Sequence, residues 1–311
     1  MLKIRDLIMI KIDLPRDCQN YADVIDSCCS IMRNSNPLKG KIKENKDALL
    51  RVSQYYKKTA KNNRLFIHLH HRCSEDCYIR IANNNINQNA LLTKDDMIKL
   101  YDKYFVEKRD QHNNYYDKII NNAKNPKIHC PFCGGINIPT EIDHFLPKSE
   151  FCYYSIFPYN LIPICKDCNQ TYKKNFFPEN KKEQLIHPYF DNDCFFNEQW
   201  LYAEYIDEPN DIGTIRYFVK PPNNWSIDKK DKVEFHFIKF NLAKRFSEQA
   251  CGSLSDVLDT MKTYKGIGIS MNDFEQGSID SYLNNESRIN HWKRALYQAI
   301  KNNISTIWRN I

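Results

Sequence analysis

Residues His129–Lys174 read HCPFCGGINIPTEIDHFLPKSEFCYYSIFPYNLIPICKDCNQTYKK, and this stretch decides the fold. It holds two Cys-x2-Cys pairs, Cys130/Cys133 and Cys165/Cys168. Each pair is a tight turn that directs two sulfurs at one point, and four thiolates complete the tetrahedral coordination that Zn²⁺ prefers. Because four sulfurs leave no open coordination position, we predict a structural zinc and expect any catalysis to take place elsewhere.

The segment between and just after the cysteine pairs carries residue types that suit chemistry on a phosphate. Asp143 and His144 are adjacent, and Asn160 and Asn169 follow them. A hard cation such as Mg²⁺ prefers oxygen ligands and keeps several waters, so the Asp143 carboxylate and the Asn169 amide oxygen suffice to hold it. A neutral His144 beside them would take a proton from a water that attacks a phosphodiester.

The order of these residues resembles that of the HNH endonucleases, also called ββα-metal or His-Me finger nucleases. The shared pattern is C-x2-C, D-H-x2-P, Asn, C-x2-C-N and then Lys. The resemblance implies a core of a β-hairpin and a helix, with His144 as general base at the end of the first strand. It also implies that Asp143 and Asn169 bind catalytic Mg²⁺ or Mn²⁺, and that the Asn160 side chain holds the loop carrying His144. Many family members have His where this chain has Asn169, but the HNH domains of RNA-guided CRISPR nucleases have Asn there.

A looser similarity extends to HNH proteins of bacterial anti-phage systems, including Septu-type and retron-associated ones. It covers Leu100-Tyr101, Tyr115-Tyr116, Ala123 and the run from Leu185 to Asp191. In those families the nuclease usually partners an ATPase subunit, so the resemblance implies such a protein partner and an anti-phage effector role. An unrestrained nuclease would damage its host, and we therefore expect a partner or trigger to control the activity.

Each site residue also has a plain structural interpretation. His144 is alternatively a core histidine bonded to a backbone carbonyl, and Asp143 alternatively orients it without touching a metal. Lys173 and Lys174 are candidate nucleic-acid contacts to the scissile or a neighbouring phosphate, or else ordinary exposed lysines. Glu141 shares a strand face with Asp143, and we expect it to pair with Lys173 rather than to bind metal.

Two further features stay open at this point. One is a second group of possible metal ligands: His68, His70, His71, Cys73 and Cys77. Its thiol spacing is not that of a zinc knuckle, so histidines on the surface of a hairpin are the alternative. The other is His187, which has a family-like Pro-Tyr-Phe-Asp context but would look the same if it packed under Tyr189.

Composition narrows the class of protein. The 311 residues are 42% hydrophobic and 13% aromatic, which is typical of a folded globular chain. Twelve cysteines without an export signal favour metal binding or free thiols over disulfides. No apolar stretch is long enough to span a membrane, and we expect a cytoplasmic protein. The net charge is +7, and residues 1–126 hold 23 Lys and Arg against 15 Asp and Glu, which suits a nucleic-acid partner.

The pattern of elements predicts an α+β fold with three regions. We expect a basic N-terminal α+β region at 1–126, the HNH domain with its zinc knuckles at 127–195, and a hairpin with helices at 196–311, the two flanks supplying docking surfaces. Predicted strands lie at 1–13, 64–73, 78–82, 201–206 and 213–220. Predicted helices lie at 21–33, 46–61, 93–105, 110–123, 228–249 and 286–308.

The sequence thus favours a metal-dependent endonuclease that nicks or cuts DNA. One alternative keeps this chemistry but takes RNA, for example tRNA, as the substrate, where the 2′-OH offers an internal nucleophile. A second alternative is a catalytically silent, zinc-stabilised module that only binds nucleic acid. The presence of Asp143, His144 and Asn169 together argues against the silent module.

Overall fold

A computed structural model of the chain describes residues 11–73, 91–122, 129–208, 213–286 and 288–311. Within these ranges the protein is mainly helical, with two small antiparallel hairpins. This agrees with the predicted α+β class in its broad form. The described residues divide into two compact units, one made of Ile12–Ile128 and Ile138–Asp191, the other of Lys11, His129–Asn137 and Asn192–Ile311. The boundaries predicted at 126/127 and 195/196 stay predictions.

The first unit begins with helices whose ends are encoded locally. The N-cap side chains of Asn20 and Asn36 accept backbone bonds at the starts of helices α1 and α2. Thr93 and Asp96 form a capping box at the start of α3, in the helix predicted at 93–105. The helices are α1 (Tyr21–Ser30), α2 (Pro37–Lys61), α3 (Lys94–Lys99), which continues as a π-helical segment (Leu100–Glu107), and α4 (Tyr115–Asn122).

The same unit contains the first hairpin, β1 (Glu141–His144) and β2 (Leu161–Ile164), followed by a short π-helical segment, Asp167–Lys173, which we call the site helix. The strands are antiparallel, and Asp143 lies opposite Ile162. Every residue of β2 is buried, as expected for a strand covered on both faces. The order strand, strand, helix, which the resemblance to HNH endonucleases implies, occurs within the cysteine-rich stretch.

The second unit is built around the hairpin of β3 (Leu201–Ile206) and β4 (Thr214–Val219). The bounds of these strands agree with the predicted 201–206 and 213–220 to within one residue at each end. Helix α10 packs against β3 and α7 against β4. The helices of the second unit are α5 (Cys194–Asn197), α6 (Ile227–Lys239), α7 (Leu242–Gly266), α8 (Met271–Phe274), α9 (Ser281–Asn285), α10 (Trp292–Asn302) and α11 (Ile304–Asn310). A π-helical segment, Glu275–Asp280, connects α8 to α9.

Several predicted elements differ from the structure. The strand predicted at 64–73 is a 3₁₀ helix, Leu65–His71, because the three-residue spacing of Leu65 and His68 buries both. The single helix predicted at 228–249 ends at Lys239, where Asn241 takes a left-handed conformation with φ 48°, and α7 then begins. Residues 286 and 288–290 are not helical, and α10 starts after the N-cap His291.

Other predicted elements have shifted ends or lie elsewhere. Helix α2 starts nine residues before the predicted position 46, at Pro37, and the helix predicted over 110–123 begins only at Tyr115. The strand predicted at 78–82, most of the one at 1–13, and residue Ala123 lie outside the described residues. In the part of the chain that the structure describes, no helix has the length and apolar character needed to cross a membrane.

Candidate functional site

The loop after β1 is held by the side chain of Asn160. Its amide oxygen accepts the N–H of Leu146 at 2.8 Å, and its amide nitrogen donates to the Leu146 carbonyl at 3.0 Å. The backbone carbonyl of Asn160 also accepts the N–H of Phe145 at 2.7 Å. Since Asn160 is fully buried, these bonds fix the residues that directly follow His144. Asn160 therefore holds the loop that follows β1.

His144, the last residue of β1, is buried with one ring nitrogen bonded. Its Nε2 lies 2.8 Å from the backbone carbonyl oxygen of Ser155. A carbonyl only accepts, so Nε2 carries the proton and Nδ1 presents the lone pair of a neutral imidazole. Burial lowers the pKa of His144 to about 3, although the Ser155 bond acts in the opposite direction. The ring therefore stays neutral near pH 7 and has a base nitrogen.

Asp143 is paired with a lysine from the site helix. Its Oδ2 lies 2.6 Å from Nζ of Lys173, whose side chain is 0% exposed against 12% for that of Asp143. Lys173 also donates to the backbone carbonyl of His144 at 2.9 Å. Burial raises the pKa of Asp143, and the charge of Lys173 opposes this shift. One buried cation thus ties the end of β1 to the site helix.

A second contact runs parallel to the first. The amide nitrogen of Asn169 donates to Oε2 of Glu141 at 2.7 Å. Glu141 and Asp143 share one face of β1, and Asn169 and Lys173 both belong to the site helix, so the strand and the helix are joined by two contacts. Because Asn169 uses its nitrogen on Glu141, its oxygen is the atom left to face a cation.

These contacts correct two predictions about lysine. Glu141 does not pair with Lys173, because Asn169 and Gln170 donate to Glu141 and Lys173 reaches Asp143 instead. Lys173 is buried in the site, so it is not the exposed phosphate contact that the sequence suggested. Its neighbour Lys174 is exposed at the end of the site helix, and its role as a nucleic-acid contact stays a prediction.

The four cysteines of the two pairs come together. The sulfurs of Cys130, Cys133, Cys165 and Cys168 all lie within 4.8 Å of one another, and all four residues are buried. Sulfurs around a tetrahedral Zn²⁺, each at about 2.3 Å from the metal, are roughly 3.8 Å apart. The cluster therefore fits one structural zinc, which agrees with the prediction. Among the described residues, these four cysteines are the group of three or more His, Cys, Asp or Glu side chains that could hold a metal ion.

The second group of possible ligands does not form a metal site in the described residues. Both ring nitrogens of His68 face hydroxyl groups, Nε2 that of Thr59 at 2.8 Å and Nδ1 that of Tyr154 at 3.2 Å. Cys73 instead has its sulfur 3.0 Å from that of Cys152. Cys77 lies outside the described residues. Burial lowers the pKa of His68 to about 3, which keeps this histidine neutral in the core.

His187 is a core residue beneath the loop after β1. It is 1% exposed, and its ring centroid is 4.2 Å from that of Phe145. Its Nε2 lies 3.1 Å from the hydroxyl of Tyr56, and its Nδ1 accepts the N–H of Tyr189 at 3.3 Å. Both ring nitrogens are used inside the protein, so His187 supports the site by packing.

Sequence reasoning missed two neighbours of His144. The Ser155 carbonyl that receives Nε2 is a backbone atom, and no residue type reveals it. Tyr101, buried in the π-helical segment Leu100–Glu107, stands edge-on to the His144 ring with centroids 4.5 Å apart. The only sequence signal for Tyr101 was its place in the looser similarity noted above.

The chain is similar to a phage protein along almost its whole length. It is 28% identical over 299 residues to "Protein ea31" of Escherichia phage lambda, which covers 93% of this chain and 96% of the relative. No family model matches the chain. No solved structure matches it either. The comparisons thus relate the chain to a phage protein and leave its chemistry to be argued from the site.

Proposed function

We propose that the protein is a metal-dependent HNH-type endonuclease that hydrolyses phosphodiester bonds in nucleic acid, with His144 as general base. The observation that carries the proposal is the setting of His144. Its Nε2 is bonded to the Ser155 carbonyl, which leaves Nδ1 as the basic nitrogen, at the end of a strand that also presents Asp143. A general base needs this combination of a fixed tautomer and a neutral ring.

The oxygen atoms around β1 suit a hard cation. Asp143 supplies a carboxylate and Asn169 an amide oxygen, both from residues that are neither fully buried nor fully exposed. These two residues would hold Mg²⁺ or Mn²⁺, a cation that would offset charge on the phosphate and the departing oxygen. The charge of Lys173 favours the ionised form of Asp143 against the effect of burial, and the ion pair fixes the carboxylate. Asn160 contributes by fixing the loop next to His144, without touching the substrate.

DNA is the proposed substrate, and RNA is the alternative substrate that the experiment must distinguish from it. Cleavage of RNA through its own 2′-OH would leave a 2′,3′-cyclic phosphate, whereas attack by water would not. The resemblance implies an anti-phage system of bacteria, whereas the similar protein found by comparison belongs to a phage. Nucleic-acid cleavage is compatible with either setting. Control by a protein partner such as an ATPase subunit stays part of the proposal.

The test is cleavage of supercoiled plasmid and of total RNA by the full chain in Mg²⁺ or Mn²⁺, comparing wild type with His144→Ala. Loss of the base should slow cleavage on the order of a hundredfold or more. His70→Ala is the matched control, because His70 is an exposed histidine of the same unit. We expect this control to cut like wild type, and zinc content to be equal in all three proteins.

Two results would contradict the proposal. Equal cleavage by wild type and His144→Ala would mean that His144 is not the base. Wild type that keeps its zinc but cuts neither nucleic acid with either cation, even after the protein partner has been added, would favour the silent binding module instead. Loss of zinc in the His144→Ala variant would point to misfolding, and His144→Gln, which keeps a polar side chain of similar length, then takes its place.

A further inference from the structure

Lys148 occupies a fixed position beside His144. It lies on the loop after β1, two residues beyond Leu146, which Asn160 clamps through both backbone groups. Directly after it the chain makes a tight turn, in which the carbonyl of Pro147 accepts the N–H groups of Glu150 at 3.0 Å and Phe151 at 2.8 Å. The backbone of Lys148 is therefore held from both sides.

The side chain of Lys148 reaches over the ring that supports His144. Its Nζ is 4.5 Å from the centroid of Tyr101, and the Tyr101 ring is 4.5 Å from that of His144. A cation over an aromatic face is attracted by the ring quadrupole, so this position is favourable for the ammonium group. Lys148 and His144 thus both contact the ring of Tyr101.

The ammonium group of Lys148 remains accessible to solvent. Lys173 is 0% exposed and paired with Asp143, whereas the side chain of Lys148 is 30% exposed. A phosphate arriving from solvent can therefore reach Lys148 but not Lys173.

The present partner of Lys148 is easy to exchange. Lys148 forms an ion pair with Asp102, whose side chain is 55% exposed. Exposed pairs of this kind contribute little to stability, because both charges remain partly hydrated. An ammonium group forms the same kind of charge-assisted hydrogen bond with a phosphate oxygen, so a phosphate can take the place of Asp102.

We propose that Lys148 binds a backbone phosphate of the nucleic acid beside His144, and that Asp102 holds the lysine in place until the phosphate replaces it. This inference rests on the proposed function of the site. It assigns the phosphate contact to a residue that the sequence pattern did not single out. Lys148 is thus a substrate-binding residue, and Asp102 a positioning residue that competes with the substrate.

The test measures binding rather than cleavage. In the full chain with His144→Ala, Lys148→Gln and Asp102→Asn are compared for affinity to a short fluorescent DNA duplex across a salt series. Loss of one phosphate contact makes the slope of log K against log salt less negative by about 0.9. We expect this change for Lys148→Gln, and tighter binding at equal salt for Asp102→Asn, because a competing carboxylate is gone.

A matched ion pair elsewhere in the same unit provides the control. Lys46 and Asp26 pair at 2.6 Å between α2 and α1, with side chains 27% and 62% exposed, close to the values for Lys148 and Asp102. Lys46→Gln and Asp26→Asn change the net charge by the same amounts. We expect both to leave the salt slope as it is, since their pair lies on helices that do not carry the site.

The opposite signs expected for the two substitutions separate phosphate binding from a structural tether. If the pair only ties the loop to the helix, Lys148→Gln and Asp102→Asn will lower the melting temperature alike and leave binding unchanged, which overturns the proposal. An equal effect of Lys46→Gln on the slope, or no binding of the duplex at all, overturns it too. Cleavage by wild type with an unchanged slope in Lys148→Gln refutes this inference alone and leaves the proposed nuclease function standing.

Discussion

Replacing Lys173 by methionine should destabilise the protein strongly, although the two side chains have similar length and shape. The substitution removes the cation that lies 2.6 Å from the Asp143 carboxylate and the donor that lies 2.9 Å from the His144 carbonyl. It fills the same space with an apolar chain, so no cavity is expected. What remains is a buried carboxylate without its counter-ion.

The size of the effect follows from the burial of the pair. Breaking a buried ion pair by removing one partner costs about 3–5 kcal/mol. Because the side chain of Asp143 keeps 12% exposure, water can reach it, and the lower end applies. At about 2–4 °C per kcal/mol, a cost of about 3 kcal/mol lowers the melting temperature by roughly 6–12 °C.

The assay is thermal unfolding of Lys173→Met, Asp143→Asn and the double variant, each with zinc content measured beforehand. Residues in direct contact couple by about 0.5–3 kcal/mol, so the double variant should be more stable than the two single losses predict. Lys174→Met is the control, since Lys174 is exposed and adjacent in sequence. It should melt within a degree or two of wild type.

Equal melting temperatures for Lys173→Met and Lys174→Met would show that the Lys173–Asp143 pair does not stabilise the fold. Losses from Lys173→Met and Asp143→Asn that simply add would show the same, because two groups that pair in the fold cannot be energetically independent. A Lys173→Met protein that is fully stable but binds DNA poorly would indicate that Lys173 contacts a phosphate, contrary to the inference from its buried position.

Three further predictions concern single contacts. Asn160→Asp keeps an acceptor for the Leu146 N–H but loses the donor to its carbonyl, so unfolding should become easier by about 1–3 kcal/mol, and an unchanged melting curve would contradict this. His68 has its pKa lowered to about 3 by burial, so the unfolded chain takes up a proton first as pH falls below about 6.5 and stability is lost. His68→Gln should therefore lose about 2 kcal/mol less than wild type between pH 7 and pH 5, and parallel curves of melting temperature against pH would rule this out. Gly135 has φ +114°, and a Cβ there would lie 2.8 Å from Nε2 of His291. Gly135→Ala should lower the melting temperature, and adding His291→Ala should recover part of the loss; no recovery would mean that the contact is unimportant.

The parts of the site that follow from residue type and spacing could be predicted. Two Cys-x2-Cys pairs indicate a tetrahedral cluster because each turn fixes two sulfurs, and the four sulfurs do lie within 4.8 Å of one another. The cap that Thr93 and Asp96 form at the start of α3 follows from local chemistry, whereas the short hairpin and the site helix were implied by the resemblance to HNH endonucleases.

The parts that depend on tertiary contacts could not be predicted. Lys173 and Lys174 are alike in sequence, and only the packing of the site helix on β1 buries one and exposes the other. Leu65, Ile67 and Leu69 alternate as in a strand, yet the chain forms a 3₁₀ helix in which His68 finds partners on α2 and beyond β1. Burial and distant hydrogen bonds outweighed the local pattern at both places.

The bonds that hold the site mostly end on main-chain atoms. His144 is bonded to the carbonyl of Ser155, Asn160 to both backbone groups of Leu146, and Lys173 to the carbonyl of His144. A carbonyl or an N–H persists when its own side chain is replaced. The residues at positions such as 146 and 155 can therefore be substituted without loss of a hydrogen-bond partner. Related chains can differ at many residues that line this site and still keep its geometry.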